Sequence, residues 1–174
     1  MERFDLVDRE GQLTGESIER GQPIPADRYH HVVQIFTFNA NHDLLITKRH
    51  PDKPYGNLWE ITAGSVIAGE QVIDGAVREL AEETGIHVSV DRLIPILRTL
   101  HHEAIWSSFL VILDEVDVPI TYQDRETIDH RWIDLAEFKH LFIDDAFPGP
   151  MKQRLLDQWP TFQTALKTHL NRVI

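Results

Sequence analysis

The sequence predicts a fold of the α/β class, more closely α+β, with a mixed β-sheet packed against helices. Three observations predict it. Runs of β-branched and aromatic residues mix with helical segments without a regular βαβ alternation. Two such runs, 32–38 and 44–47, are separated by Asn39-Ala40-Asn41-His42-Asp43, a turn-forming segment that reads as a hairpin. The segment 71–84 has helical periodicity, with Ile73, Ala76, Val77 and Leu80 on one face and Gly85 as the stop.

The remaining elements follow in chain order. Residues 4–7 are short and β-prone, and Asp8-Arg9-Glu10-Gly11 is a turn. Gln22-Pro23-Ile24-Pro25 is extended, because proline restricts itself and its predecessor. After the hairpin, 51–57 is a loop rich in Pro and Gly, and 58–61 is a short strand. Segments 93–100 and 105–113 are long strands, and Arg131-Trp132-Ile133 is a short one. Asp134 caps a helix running to about His140. Segments 148–159 and 161–173 are C-terminal helices divided by Pro160. No linker or repeat divides the chain, so 1–174 is expected to be a single domain.

Composition narrows the functional classes. Hydrophobic residues are 42% of the 174, enough for a core without cross-links. Cysteine is absent, which excludes disulfides, thiolate metal sites and cysteine nucleophiles. Lys and Arg number 17 against 28 Asp and Glu, a formal charge of −11. Such a chain is a poor general binder of nucleic acid, whose phosphates need a basic face. No long apolar run predicts a membrane span, and Met1-Glu2-Arg3-Phe4-Asp5 has no signal core. The expectation is a cytoplasmic protein acting on a small molecule. A homodimer through the N-terminal strand or the C-terminal helices is the assembly considered.

The chemistry concentrates in 64–86. Glu79, Glu82 and Glu83 stand at i, i+3 and i+4 and share one helical face. That face lies about 115° from the centre of the apolar stripe, so one side packs while the other offers carboxylates to a cleft. Like charges this close repel each other. A hard divalent cation removes the conflict, and Mg²⁺ uses carboxylates with substrate phosphates in this way. Arg78 can orient a carboxylate with a two-pronged hydrogen bond. Gly64 permits an unusual backbone shape that would turn its carbonyl toward the same metal. A solvated acidic face is the usual meaning of a Glu-rich helix, but the spacing here is more specific. It reads Gly, five residues, Glu, seven residues, Arg-Glu, an aliphatic, any residue, Glu-Glu, any residue, Gly and an aliphatic. A chance match is on the order of one in a million or rarer.

This segment resembles the Nudix box, and the chain resembles the Nudix hydrolases. The resemblance implies an α/β/α sandwich with a mixed sheet, and a loop–helix–loop for the box. It implies Glu79, Glu82 and Glu83 as ligands of Mg²⁺ (or Mn²⁺), with the Gly64 carbonyl beside them and Glu70 and Arg78 bracing the loop. The implied reaction is attack of water on a phosphorus of a diphosphate linked to an organic group. Arg3 to Asp8, Gly11, Thr14-Gly15, Lys48-Arg49 and Gly56-Asn57-Leu58-Trp59 resemble the subgroup containing type I isopentenyl diphosphate isomerase. Ala63, however, stands where that enzyme has its cysteine. Of its histidine positions, Ser65 and Pro23 depart and only His30 matches.

Outside the box, three acids are candidate general bases: Glu126, Glu103 and Glu115. Lys48 and Arg49 end a strand before the Pro/Gly loop and are candidate phosphate contacts. His30-His31 and His101-His102 are neighbours on strands, point to opposite faces, and read as surface or packed residues. Trp59 reads as core. The leading function is hydrolysis of a nucleoside diphosphate-X or another organic diphosphate. The alternatives are isomerisation of an isoprenoid diphosphate, opposed by the missing cysteine, and a silent Nudix-fold binding module, opposed by the intact acids.

Overall fold

The computed structural model describes residues 1–171. β3 (His30–Phe38) is the axis of the main sheet. Its β-branched and aromatic residues suit a strand buried on both faces. β8 (Ala104–Ile112) runs parallel to it along its whole length, and β7 (Ile94–His101) is antiparallel to β8. The other edge of β3 forks. It pairs first with β6 (Ala63–Ser65), through Val32, Val33 and Gln34, and then at Phe38 with β4 (Leu44–Arg49). β4 is flanked by β5 (Trp59–Glu60) and β9 (Thr127–Ile133). The sheet is therefore mixed.

The pleat sorts side chains onto two helical layers. Val33, Ile35, Leu45, Phe109 and Val111 face α1 (Val72–Thr84), where Ala76 and Leu80 are fully buried. Phe36, Phe38, Leu44, Ile46 and Leu110 face α2 (Leu135–Ile143), α3 (Gly149–Asp157) and α4 (Trp159–Leu170). The result is the expected sandwich of helices on both sides of a mixed sheet. Among the described residues, no helix is long and apolar enough to cross a membrane.

Local signals act as the sequence predicts at the end of α1 and the start of α2. Gly85 caps α1 at φ 74° and donates its N–H to the Ala81 carbonyl. The Asp134 carboxylate accepts the Glu137 N–H at 2.7 Å and starts α2. Other boundaries differ. β1 (Arg3–Val7) pairs with β2 (Leu13–Glu19), a strand the sequence does not announce because its burial is slight and its pattern polar. β6 is likewise unannounced, being three small residues whose only strand character is their pairing to β3. β9 extends back from the predicted 131–133 to Thr127. The break between the last helices falls at Gln158, and Pro160 sits inside the first turn of α4, where its missing N–H costs nothing. The predicted helix end at Val173 lies outside the described residues.

An aromatic cluster ties the C-terminal helices to the sheet. The Phe162 and Phe36 rings lie 4.6 Å apart, and Phe138 meets Phe147 at 5.5 Å. Phe162 is fully buried. Replacing it by Ala is expected to destabilise the protein by about 3–5 kcal/mol. If the C-terminal helices belong to one cooperative domain, urea unfolding followed by tryptophan fluorescence and by far-UV dichroism will shift together. Separate transitions would divide the chain.

Candidate active site

A cleft of about 460 Å³ opens beside the start of β3 and the acidic face of α1. β6 carries Gly64 to its floor, and α1 presents Glu79, Glu82 and Glu83. Arg78 organises the junction. It holds both oxygens of Glu70, at 2.9 and 3.0 Å, and donates to the Ser65 carbonyl at 2.9 Å. It also reaches Glu79 at 2.8 Å and Glu82 at 2.9 Å. Glu70 accepts the Ile67 N–H at 3.1 Å, closing the loop before the helix. Burial works against the charged guanidinium, but the bonds to Glu70 and Glu79 outweigh it and raise its pKa above the ordinary arginine value.

Gly64 is needed for a reason other than the one its sequence position suggests. It lies in ordinary strand pairing with Val33, without a positive φ. Its missing side chain makes room for Glu79: a Cβ there would stand 1.9 Å from the Glu79 carboxyl carbon. The three box acids also differ in setting. Glu79 and Glu83 are buried, whereas the Glu82 side chain is 46% exposed. Among the described residues, no group of three acids or histidines is arranged to hold a cation. The helical spacing puts the three carboxylates on one side, but Arg78 draws Glu79 and Glu82 while Glu83 turns into the protein.

Glu83 shares that interior with Glu60, an acid the sequence reading passes over. Burial pushes the Glu83 carboxyl well above the usual carboxylate range, and the charges of Glu60, Glu79 and Glu126 add to the shift against Lys53. Burial also raises Glu60, opposed by its ion pair with Arg49. Glu79 is raised by burial, opposed by Arg78. Among the described residues, Glu83 Oε2 and Glu60 Oε1 are buried without a hydrogen-bond partner. The available signal for Glu60 was an acid inside the apolar stretch Leu58-Trp59-Glu60-Ile61, where a charge needs a partner.

The candidates outside the box separate cleanly. Arg49 lines the cleft and donates to the Pro54 carbonyl at 2.8 Å. Lys48 does not, because the pleat turns it to the opposite face, with its ammonium 5.5 Å from the Trp59 ring centroid. Trp59 packs against the core from that side. Glu126 lines the cleft and pairs with Lys53, a loop residue the sequence does not single out. Glu103 is exposed in the tight turn between β7 and β8 and is not part of the cleft lining. Glu115 lies beyond the far end of β3, its carbonyl accepting the Ala40 N–H at 2.9 Å. His30 is packed on the Phe4 ring at 5.3 Å, and burial lowers its pKa.

Residues 28–155 match the NUDIX domain. The chain belongs to the Nudix family. An uncharacterised Nudix hydrolase of Listeria monocytogenes is 31% identical over 150 residues, covering 84% of this chain and 88% of that protein. Nudix hydrolase 2 of Arabidopsis thaliana is 28% identical over 66% of this chain and 43% of its own length. The crystal structure of DR0079 from Deinococcus radiodurans superposes with a TM-score of 0.70 at 22% identity, covering 90% of this chain and 98% of that one. A bifunctional NMN adenylyltransferase/ADP ribose pyrophosphatase from Francisella tularensis, solved with AMP and a Mn ion, has a TM-score of 0.58 at 20% identity. It covers 80% of this chain and 43% of that one. As a Nudix hydrolase, this protein acts on pyrophosphate bonds.

The buried acids of this Nudix site make a prediction about stability. The folded-state pKa of Glu83 lies above its unfolded value. Without metal, its contribution is therefore greatest below the ordinary carboxylate range and is lost as pH rises through the raised value. Glu83→Gln removes the charge and keeps the shape. In EDTA at neutral pH the variant should be more stable than wild type by about 1–2 kcal/mol, with the gap closing in acid. Denaturant titrations at both pH values check this, and parallel pH dependences would contradict it.

Proposed function

We propose that the protein hydrolyses a nucleoside diphosphate-X or a related organic diphosphate with Mg²⁺ or Mn²⁺. The observation that carries this reading is the pair of buried carboxylates, Glu83 and Glu60, each with an unpartnered oxygen beside a cleft that also presents Arg49 and Lys53. Buried carboxylate oxygens left without donors fit a hard divalent cation, which prefers oxygen ligands. Glu79, Glu82 and Glu83 would hold it, with the Gly64 carbonyl at the edge of the same floor. When bound, such an ion supplies charge neutralisation at the phosphates and lowers the pKa of water. Mn with AMP in the Francisella protein motivates the choice of metal and of nucleotide substrates.

The chain's own residues divide the remaining work. Arg49 and Lys53 draw the phosphates toward the floor. Glu126 faces the cleft from the start of β9 and accepts the proton of the attacking water. A new P–O bond forms from that water, and the bridging P–O bond breaks to release a phosphate-bearing product. Arg78 positions Glu79 and Glu82 and does not touch the reacting atoms. Glu103, outside the cleft lining, has no part in this scheme. The likeness to the isomerase subgroup does not extend to its chemistry, because Ala63 can neither donate nor accept a proton.

A diphosphate screen with Mg²⁺ and Mn²⁺, reading phosphate after phosphatase coupling, tests the function; activity undiminished in EDTA would sink it. Glu126→Gln should lower kcat by about 10²–10⁴-fold, the usual span for a general base, while Glu103→Gln stays near wild type. The opposite ranking would move the base to the β7–β8 turn. Arg78→Lys keeps the charge and loses the planar fork. It should weaken metal affinity, measured by Mn²⁺ titration, without unfolding the protein; wild-type affinity would remove its positioning role.

A further inference from the structure

Arg154 lies within α3 and is only 4% exposed. An arginine so deeply buried ordinarily pairs with a carboxylate, because an uncompensated interior charge is costly. Among the described residues, no carboxylate pairs with this one. Its guanidinium donates to the Gln34 side-chain oxygen at 3.3 Å and stacks over Trp106, 3.4 Å from the ring centroid. Neither neighbour carries a charge. Burial pulls its pKa down to about 10, so it remains a cation at neutral pH.

Arg154 lines a cavity of about 270 Å³ whose other walls include Tyr55, Ile61, Pro148, Pro150 and Met151, together with Glu60, whose charge is met by Arg49 in the same wall. Arg49, Pro54, Ala63 and Trp106 line both this cavity and the acidic cleft, so the two lie side by side. Pockets that take organic ligands have this character, apolar walls with a few convergent polar groups. The cations lining the cleft each have a carboxylate beside them: Arg49 has Glu60, Lys53 has Glu126 and Arg20 has Glu2. Arg154 is the buried cation in this region left without a counter-charge.

We propose that this cavity is the subsite for the X group of the substrate, and that the X group carries a second anion, a phosphate or a carboxylate, which Arg154 grips. The proposal rests on the diphosphate reading of the adjoining cleft. A planar guanidinium offers five N–H donors and matches either anion with two parallel hydrogen bonds. Trp106 covers one face of the guanidinium and Gln34 accepts one of its five N–H groups. A neutral acceptor would satisfy the N–H groups but leave the charge unanswered. The apolar walls would take the carbon frame of the X group. In a chain of net charge −11, a lone interior cation also offsets the repulsion that a multiply anionic substrate meets.

The test is thermal melting of wild type, Arg154→Met and Arg154→Lys in EDTA at constant ionic strength, with inorganic phosphate or with succinate added. Ligands that bind only the folded state raise its melting temperature. Wild type should gain several degrees more than the methionine variant from at least one anion, and the anion with the larger difference identifies phosphate or carboxylate. The lysine variant, which keeps the charge without the fork, should show a reduced gain. Parallel shifts in wild type and the methionine variant with both anions overturn the subsite. Should the methionine variant not fold, the lysine variant carries the comparison, and wild-type shifts in it overturn the proposal. Hydrolysis of the diphosphate panel is scored separately. Its absence in wild type would defeat the proposed function while the anion difference stands, and parallel shifts would defeat the subsite even beside strong hydrolysis.

Discussion

The guanidinium of Arg78 joins the loop entering α1 to the acidic face of that helix, and the site depends on this junction. Its bonds to Glu70 and to the Ser65 carbonyl fix the loop, and its bonds to Glu79 and Glu82 aim two carboxylates. A lysine could supply the charge but not these divergent directions, since only the planar fork presents donors on several edges. The same packing explains Gly64. The Glu79 carboxylate fills the space where any other residue would have a Cβ. Acids that would repel on an isolated helix are thus held by one cation within the box.

The fork in the main sheet supplies what the helix lacks. Beside that fork, β5 pairs Glu60 with Thr47 of β4 and sets it near enough to Glu83 for the two charges to oppose each other. Among the described residues, Glu83 Oε2 and Glu60 Oε1 are both withheld from water without a hydrogen-bond partner, and the two charges oppose each other. The pleat then decides which neighbours join them. Of the adjacent cations Lys48 and Arg49, only Arg49 turns to the cleft, while Lys48 lies over Trp59 on the other face. Ala63 of β6 and Trp106 of β8 line both the acidic cleft and the cavity that holds Arg154.

Much of this was legible in the residues because its causes are local. Helical spacing places Glu79, Glu82 and Glu83 together, Gly85 ends α1 through a left-handed cap, and Asp134 starts α2 through its side chain. The strands that form β3, β4, β7 and β8 announce themselves by β-branched and aromatic runs. β2 and β6 do not, because their strand character comes from partners rather than composition. Glu103 and Glu126 looked alike as loop acids, and chain position could not show that one faces water from a tight turn while the other meets Lys53 in the cleft.

The sequence by itself determined the family and the acidic helix, since both are written in residue spacing along one element, and through the family resemblance it implied the sandwich. The tertiary structure alone decided that Glu60 faces Glu83, that Arg49 and not Lys48 enters the cleft, and that Arg154 is buried without a counter-charge. Each of these joins residues far apart in the chain, and Arg154 meets Gln34 across 120 positions. Burial and charge pairing are properties of such meetings. They arise only when the sheet has folded and the helices have closed on its two faces.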